Sequence, residues 1–460
     1  MRFVRNRAAQ NALSLRDGYL RLQRSRFARI AAIIIVSASL IFCCPHLSNA
    51  EPGTNLYPNN YGYFDFPTCV RYALSHSSLF LRNRIGIQLK SIDLKDAHSE
   101  LLPKLDLTTR YYLSRTGDTG QNDINVEFSM SNWNPMLALF KIRSKSIIVD
   151  IARTMHFEKM ADGVGEIANL FLHIHAVKRR IRAHKQLAAL AENKVSYGDS
   201  GSERGSADPL DARMWRHDLR GKRLGIKRLQ QELRAAVASL KGLIGYHPDY
   251  HLPLDTRDAA NQILGGFNGR LVTFVQIQSN SLSLKVAAKK EQLQSNAVTG
   301  SYVALLPQPR LLMEGLTNQV DRTSGVNVAL GLDYTLWDGF RRVRNIKRQK
   351  LESRMAAIDR KELSVEIYNR YREIQAELDL LGDRQAFCRE QTRLAELNEE
   401  RALTQYKAGQ LPYEQYIDVR ARKVQASTES ISALEKKVRA LIELGTLAGG
   451  LNRYNARIRY

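Results

Sequence analysis

Cysteine is scarce in this chain, at four residues in 460. That is too few for a disulfide framework. Cys43 and Cys44 fall in the N-terminal segment, which leaves Cys69 and Cys388 in different halves, expected as unpaired thiols. Long apolar runs are also missing. After Ala50 none reaches the roughly 18–20 residues that a spanning helix needs, so any membrane crossing by the remainder falls to strands. No Pro/Gly/Ser-rich linker divides the sequence. A Gly-x-Ser-x-Gly elbow, a phosphate-binding loop and a Cys-x-x-Cys pair are all absent. His173 and His175 stand two apart on a helical stretch and so face different directions. No catalytic, cofactor or metal site is expected.

Acidic residues are outnumbered, 46 against 69 basic, for a formal charge of +23. Such a surplus raises the question of nucleic acid. Residues 1–50 carry eight Arg against one acid, Asp17, which leaves about +16 scattered over the remainder. Two clusters stand out, at residues 178–185 and 341–350. With no zinc-finger spacing and no RNA-binding aromatic signature, both read as solvated or headgroup-facing helix surface, and no nucleic-acid partner is expected.

The N-terminus is built as an export signal. An Arg-rich stretch ends at Arg29, an apolar run of about 14 residues follows from Ile30, and Ser48-Asn49-Ala50 supplies the small residues of a cleavage site. Residues 1–50 are therefore assigned as a signal peptide. Lipidation would use Cys43 or Cys44, but Phe42 precedes Cys43 where a small residue is expected.

What is present beyond residue 50 is written twice. Glu166-Ile167-Ala168-Asn169-Leu170-Phe171-Leu172-His173-Ile174 returns as Glu366-Ile367-Tyr368-Asn369-Arg370-Tyr371-Arg372-Glu373-Ile374, and Leu101-Leu102-Pro103 returns as Leu305-Leu306-Pro307. A period of about 200 residues is far beyond a solenoid repeat. It marks two halves, 51–255 and 256–460, each reading helix, strand, strand, very long helix, return helix.

Four segments alternate with period two: 104–115, 123–132, about 309–320 and 325–337. The third is the least regular, because Leu311, Leu312 and Met313 run together. Each has about the 9–11 residues that cross a bilayer when tilted. Trp133 and Trp337 close the second and fourth and suit an interfacial aromatic girdle. Four strands cannot close a cylinder, and an open edge cannot face lipid. Strands that cross a membrane here would have to come from several chains sharing one barrel.

The first half's strands, about 104–134, lead to a hairpin over 135–245; the second's, about 309–337, lead to one over 338–445. The long helices are expected to run to about Tyr197 and Ala408, ~95–105 Å each, with polar Gly-bearing turns before return helices from Pro209 and Pro412. In the last helix Ile417, Ala421, Val424, Thr428, Ile431, Leu434, Val438 and Leu441 form a coiled-coil seam.

The order and duplication of several short motifs resemble the TolC family of outer-membrane efflux channels over essentially the whole mature chain. They are Phe64-Asp65-Phe66-Pro67 opening the first helix, Leu102-Pro103-Lys104-Leu105 entering the first strand, Leu336-Trp337-Asp338-Gly339-Phe340 at the strand-to-helix junction, and Gln405-Tyr406-Lys407-Ala408-Gly409 before Tyr413 and Asp418. The resemblance implies a mainly α fold with a membrane β-barrel: a homotrimer giving four strands per protomer to one barrel, above a long periplasmic helical tunnel. It implies a periplasmic adaptor and an inner-membrane pump as partners, outer-membrane lipid around the barrel, and export rather than catalysis. It places Tyr406 and Asp418 near the tunnel constriction, with Gly409 in the tip turn and Asp211 as the first-half equivalent. An acidic position often found three residues before Asp418 is here Gln415, while Asp208 holds that place in the first half. The first tip turn, around Gly205, is longer and richer in Gly and Ser than the family's usual turn. Two rival readings are a non-conducting periplasmic scaffold, separable by conductance, and a basic helical protein on an anionic surface, separable by detergent-dependent solubility.

Overall fold

The computed structural model describes residues 63–102, 104, 106–112, 123–130, 134–203, 209–266, 272–318 and 323–449. In chain order these form α1 (Phe66–His76), α2 (Ser78–Ser99), β1 (Asp106–Tyr112), β2 (Asp123–Met130), α3 (Pro135–Glu203) and α4 (Pro209–Ile244). The second half adds α5 (Ala259–Gly266), α6 (Phe274–Asn280), α7 (Leu282–Val303), β3 (Gln308–Asn318), β4 (Thr323–Asp333), α8 (Arg341–Lys407) and α9 (Tyr413–Leu447). The chain is mostly helical.

Local chemistry sets the boundaries. Asp65 accepts a hydrogen bond from the Thr68 N–H at 2.9 Å, and Pro67 sits in the first turn, so α1 starts at Phe66. The strand-to-helix junction turns through two left-handed residues, Gly339 at φ 61° and Phe340 at φ 62°. Asp338 then accepts from the Arg342 N–H at 3.0 Å. Consequently α8 begins at Arg341 and not at Asp338. Trp337 lies in this connection, beyond the end of β4, exposed and edge-on to Phe340 at 5.1 Å. The expected fourth strand was therefore too long by four residues, because the turn needs them. Trp133 lies outside the described residues.

The strands form one antiparallel sheet in the order β1-β2-β3-β4, in which β2 and β3 join the two halves. β3 pairs with β4 over its whole length, from Gln308↔Asp333 to Asn318↔Thr323. Its irregular side-chain pattern is no obstacle, because the ladder bonds belong to the backbone. Among the described residues β1 and β4 each pair on one side only, and Leu330 and Leu332 of β4 point the same way and are exposed.

The helices pack in a line of contacts. α3 touches α2, α4, α7 and α9, while α8 touches α7 and α9. The return helix α9 therefore has two buried faces, not the single expected seam. Ile417 and Val438 are buried as anticipated, but so are Ala426, Ala433, Glu435 and Ile442. The repeated nonapeptide sits at the centre of each half. Ile167, Phe171 and Ile174 are fully buried in one core with Phe66, Leu240 and Ile442. Their counterparts Ile367, Tyr371 and Ile374 lie in a second core with Ile277 and Leu444. No helix among the described residues is long and apolar enough to cross a membrane.

Candidate functional site: the helical tip

Far from the sheet the four long helices end as two hairpins, α3–α4 and α8–α9. Each is tied within itself by ion pairs. Arg216 donates to Asp199 at 2.6 Å and Arg223 to Glu192 at 2.7 Å in the first. Lys423 and Arg420 reach Glu399 at 2.7 and 3.2 Å in the second. The turn between α8 and α9 is short because Gly409 takes φ 72°, a left-handed cap that glycine adopts without strain.

The first hairpin departs from expectation. α3 does not stop at Tyr197 but continues to Glu203. Gly198 allows this: a Cβ there would lie 2.3 Å from the Trp215 ring, so the two helices approach more closely than any side chain permits. Asp199, paired with Arg216, holds the added turn. Gly205 and Asp208 lie outside the described residues.

The hairpins also meet each other at this end. Tyr197 of α3 meets Tyr413 of α9 at 5.1 Å; Tyr413 meets Tyr406 at 5.6 Å, and Tyr406 stacks on Tyr416 at 5.2 Å. Lys194 donates to Asp418 at 3.1 Å and also lies 5.3 Å above the Trp215 ring. Between the hairpins lies a cleft of about 460 Å³, with Leu187 and Leu190 at its base and Lys194, Asp218, Asp418 and Arg422 on its rim. Of the sequence-assigned tip residues, the structure brings Tyr406 and Asp418 into this joint. Asp211 is exposed in the first turn of α4, where its charge suits the helix N-terminus, and Gln415 is exposed on α9.

A further cluster lies toward the core, and sequence reasoning missed it. Glu435 on α9 is buried, its side chain 7% exposed. His173 on α3 faces Glu435 through Nδ1 at 3.0 Å and Glu232 of α4 through Nε2 at 3.1 Å. Arg180 also bonds Glu435, and Arg439 donates to it at 3.2 Å. Burial alone would raise the Glu435 carboxyl, but the His173 hydrogen bond, with Arg180 and Arg439, overrides it and holds the group below the usual carboxylate range. Glu435 thus ties α9 to α3, and His173 extends the link to Glu232 of α4. This corrects the reading of residues 178–185 as solvated surface: Arg180 faces Glu435, and Lys178 donates to the Leu254 carbonyl at 3.2 Å. Its i,i+4 neighbour Arg439 is visible locally, but His173 and Arg180 lie 262 and 255 residues away, so the local sequence does not reveal the cluster.

Cys69 and Cys388 are both free and buried. Burial, with Asp65 adding to it, pushes the Cys69 thiol up to about 12. That makes it a core residue and not a nucleophile.

Paired strands and a duplicated set of long helical hairpins that meet at one tip define a TolC-type fold. The CmeC outer membrane channel of Campylobacter jejuni is similar over 85% of this chain and 88% of that one, at TM-score 0.69 and 12% identity. CusC, solved in work on folding and transmembrane channel formation, matches over 85% and 95%, at TM-score 0.71 and 12% identity. The open state of the Neisseria gonorrhoeae MtrE outer membrane channel matches over 84% and 89%, at TM-score 0.65 and 12% identity. No protein-family model and no curated protein matches the chain. The resemblance to TolC-family outer-membrane channels therefore holds as a shared fold, over most of the chain and most of each neighbour.

Proposed function

We propose that the chain, after loss of residues 1–50, is the outer-membrane exit duct of a tripartite export system, with each mature half, 51–255 and 256–460, contributing two strands and one hairpin. Three copies share one barrel, their helices form a tunnel through the periplasm, and an inner-membrane pump with a periplasmic adaptor delivers the cargo. The protein catalyses nothing; it supplies a passage. The observation that carries this reading is the four-stranded sheet with two open edges standing on helices of 69 and 67 residues. Unpaired strand edges are intolerable in lipid, and helices of ~100 Å have little purpose in an isolated globule. Exposed apolar side chains on the outer face of α8, among them Leu351, Met355, Ile358 and Val365, support burial against further copies.

The tip is the gate in this reading. Lys194–Asp418 and the tyrosine contacts hold the two hairpins together at this end, and an adaptor that breaks them would let the tips part. An exposed pair such as Lys194–Asp418 is worth only about 0–1 kcal/mol, within reach of modest binding energy. The native mass of detergent-extracted protein tests the assembly. Three chains per particle in the outer-membrane fraction is the expected result; a monomer that stays soluble without detergent would replace the duct by a periplasmic scaffold.

A further inference from the structure

The basic cluster at the start of α8 has no counterweight in this chain. Over residues 338–350 six bases, Arg341, Arg342, Arg344, Lys347, Arg348 and Lys350, meet one acid, Asp338. Adding Asp333 and Glu352 at either end makes six bases against three acids, still a surplus of three. Asp338 is taken by Arg342 at 3.6 Å, and Lys350 lies 5.3 Å over the Tyr302 ring of α7. Arg341, Arg344, Lys347 and Arg348 are exposed, with no ion-pair partner among the described residues. Three of the arginines stand in the first turn of α8, where the helix dipole disfavours cations and no acid offsets them.

The duplicated half supplies an internal comparison, because the same junction occurs twice. Where α3 leaves the first pair of strands, Lys141 bonds Glu100 and Lys145 reaches Asp93 at 3.6 Å, so α2 and its C-cap neutralise the cations. In the second half α7 takes the place of α2. Its single acid, Glu291, is bound to Arg360 at 2.9 Å, further down α8. The second junction thus has more cations and none of the compensating acids.

Apolar side chains stand directly above it. Leu330 and Leu332 of β4, then Tyr334, Leu336, Trp337 and Phe340, are 55–90% exposed. An apolar strand, an exposed aromatic pair and then unpaired cations over the first ~10 Å of helix follow one another along the chain. A lipid leaflet presents its layers in that order: hydrocarbon, interface, then a phosphate-bearing layer about 5–7 Å thick.

We infer that the start of α8 binds the phosphate headgroups of anionic phospholipid in the leaflet nearer the helices. This rests on the duct reading, which puts the sheet in a membrane. Arg341, Arg344 and Arg348 share one helix face and offer planar guanidinium forks to phosphate oxygens, with Lys347 beside them as a point charge. A zwitterionic headgroup carries its own cation and leaves the surplus uncancelled; an anionic one cancels it.

Thermal unfolding of the detergent-extracted full chain, titrated with phosphatidylglycerol, phosphatidylcholine or inorganic phosphate, tests it. Phosphatidylglycerol is expected to raise the melting temperature at a mole fraction where phosphatidylcholine does not. R341Q/R344Q/K347Q/R348Q, with wild-type helicity by circular dichroism, is expected to need at least about tenfold more phosphatidylglycerol for the same shift. R213Q/R220Q/K227Q/R234Q removes the same charge from exposed positions on α4 and is expected to keep the wild-type response. Should the fourfold change on α8 lower helicity, R344Q/R348Q is expected to show the same loss, at least about threefold. No shift with phosphatidylglycerol, or an equal shift with phosphatidylcholine or with inorganic phosphate at the same concentration, would overturn the lipid assignment. An unaltered response in the α8 variants, or an equal loss in the α4 variant, would overturn the site. A wild type that stays in solution without detergent would instead remove the duct reading, and the leaflet with it.

Discussion

Glu435 shows how a single buried side chain can join two long helices from different halves of the chain. Its carboxylate compensates His173, Arg180 and Arg439 in a place largely closed to water. Removing one member of a buried charged cluster strands the others. Glu435→Gln is therefore expected to cost about 3–5 kcal/mol, read as a lower midpoint in chemical denaturation. Because the folded-state pKa is depressed, this stability is present above the unfolded carboxylate value and is lost as pH falls through the lower folded value. The gap between wild type and Glu435→Gln should accordingly be full at pH 7 and shrink below about pH 4; a gap that grows on acidification would refute the sign. Gly245 provides a second test at this scale. At φ 77°, with the position for a Cβ only 2.4 Å from the His76 carbonyl oxygen, Gly245→Ala is expected to cost at least about 2 kcal/mol. Gly86, mid-helix with open space around it, should by contrast gain about 0.5–1 kcal/mol on the same change.

At the scale of elements, the long hairpins were legible because their signals are periodic and repeated. The duplicated nonapeptide alone picks out Ile167, Phe171, Ile174 and Ile367, Tyr371, Ile374, all of them buried in the two cores. Strand alternation located all four strands, though Trp337 was misplaced because Gly339 and Phe340 require a turn before α8. Three features were hidden. The extra turn of α3 depends on Gly198 meeting Trp215, a contact no local pattern encodes. The second buried face of α9 exists because α3 lies against it, and the Glu435 cluster joins residues from both halves. At the tip, motif order singled out Tyr406, Gly409 and Asp418, which lie at the end of the second hairpin, but Lys194, the partner of Asp418, was not singled out. If that pair helps hold the hairpins together, Lys194→Ala or Asp418→Ala should each raise basal conductance or antibiotic sensitivity, with little change in melting temperature. Asp211→Ala, which touches neither Tyr413 nor Lys194, should change neither.

At the scale of the whole molecule, the surface asks for company. Among the described residues the sheet ends in two unpaired edges, and α8 carries a row of exposed apolar side chains. In the proposed duct, copies of the chain would cover these strand edges and apolar faces. The measurement that bears most directly on the duct is ion current through planar lipid bilayers carrying the detergent-extracted protein. Discrete, uniform conductance steps are expected, growing larger in Asp418→Ala as the tip joint loosens. Protein that assembles and inserts into the bilayer but passes no current above the lipid leak, in wild type and Asp418→Ala alike, would contradict the role of a passage.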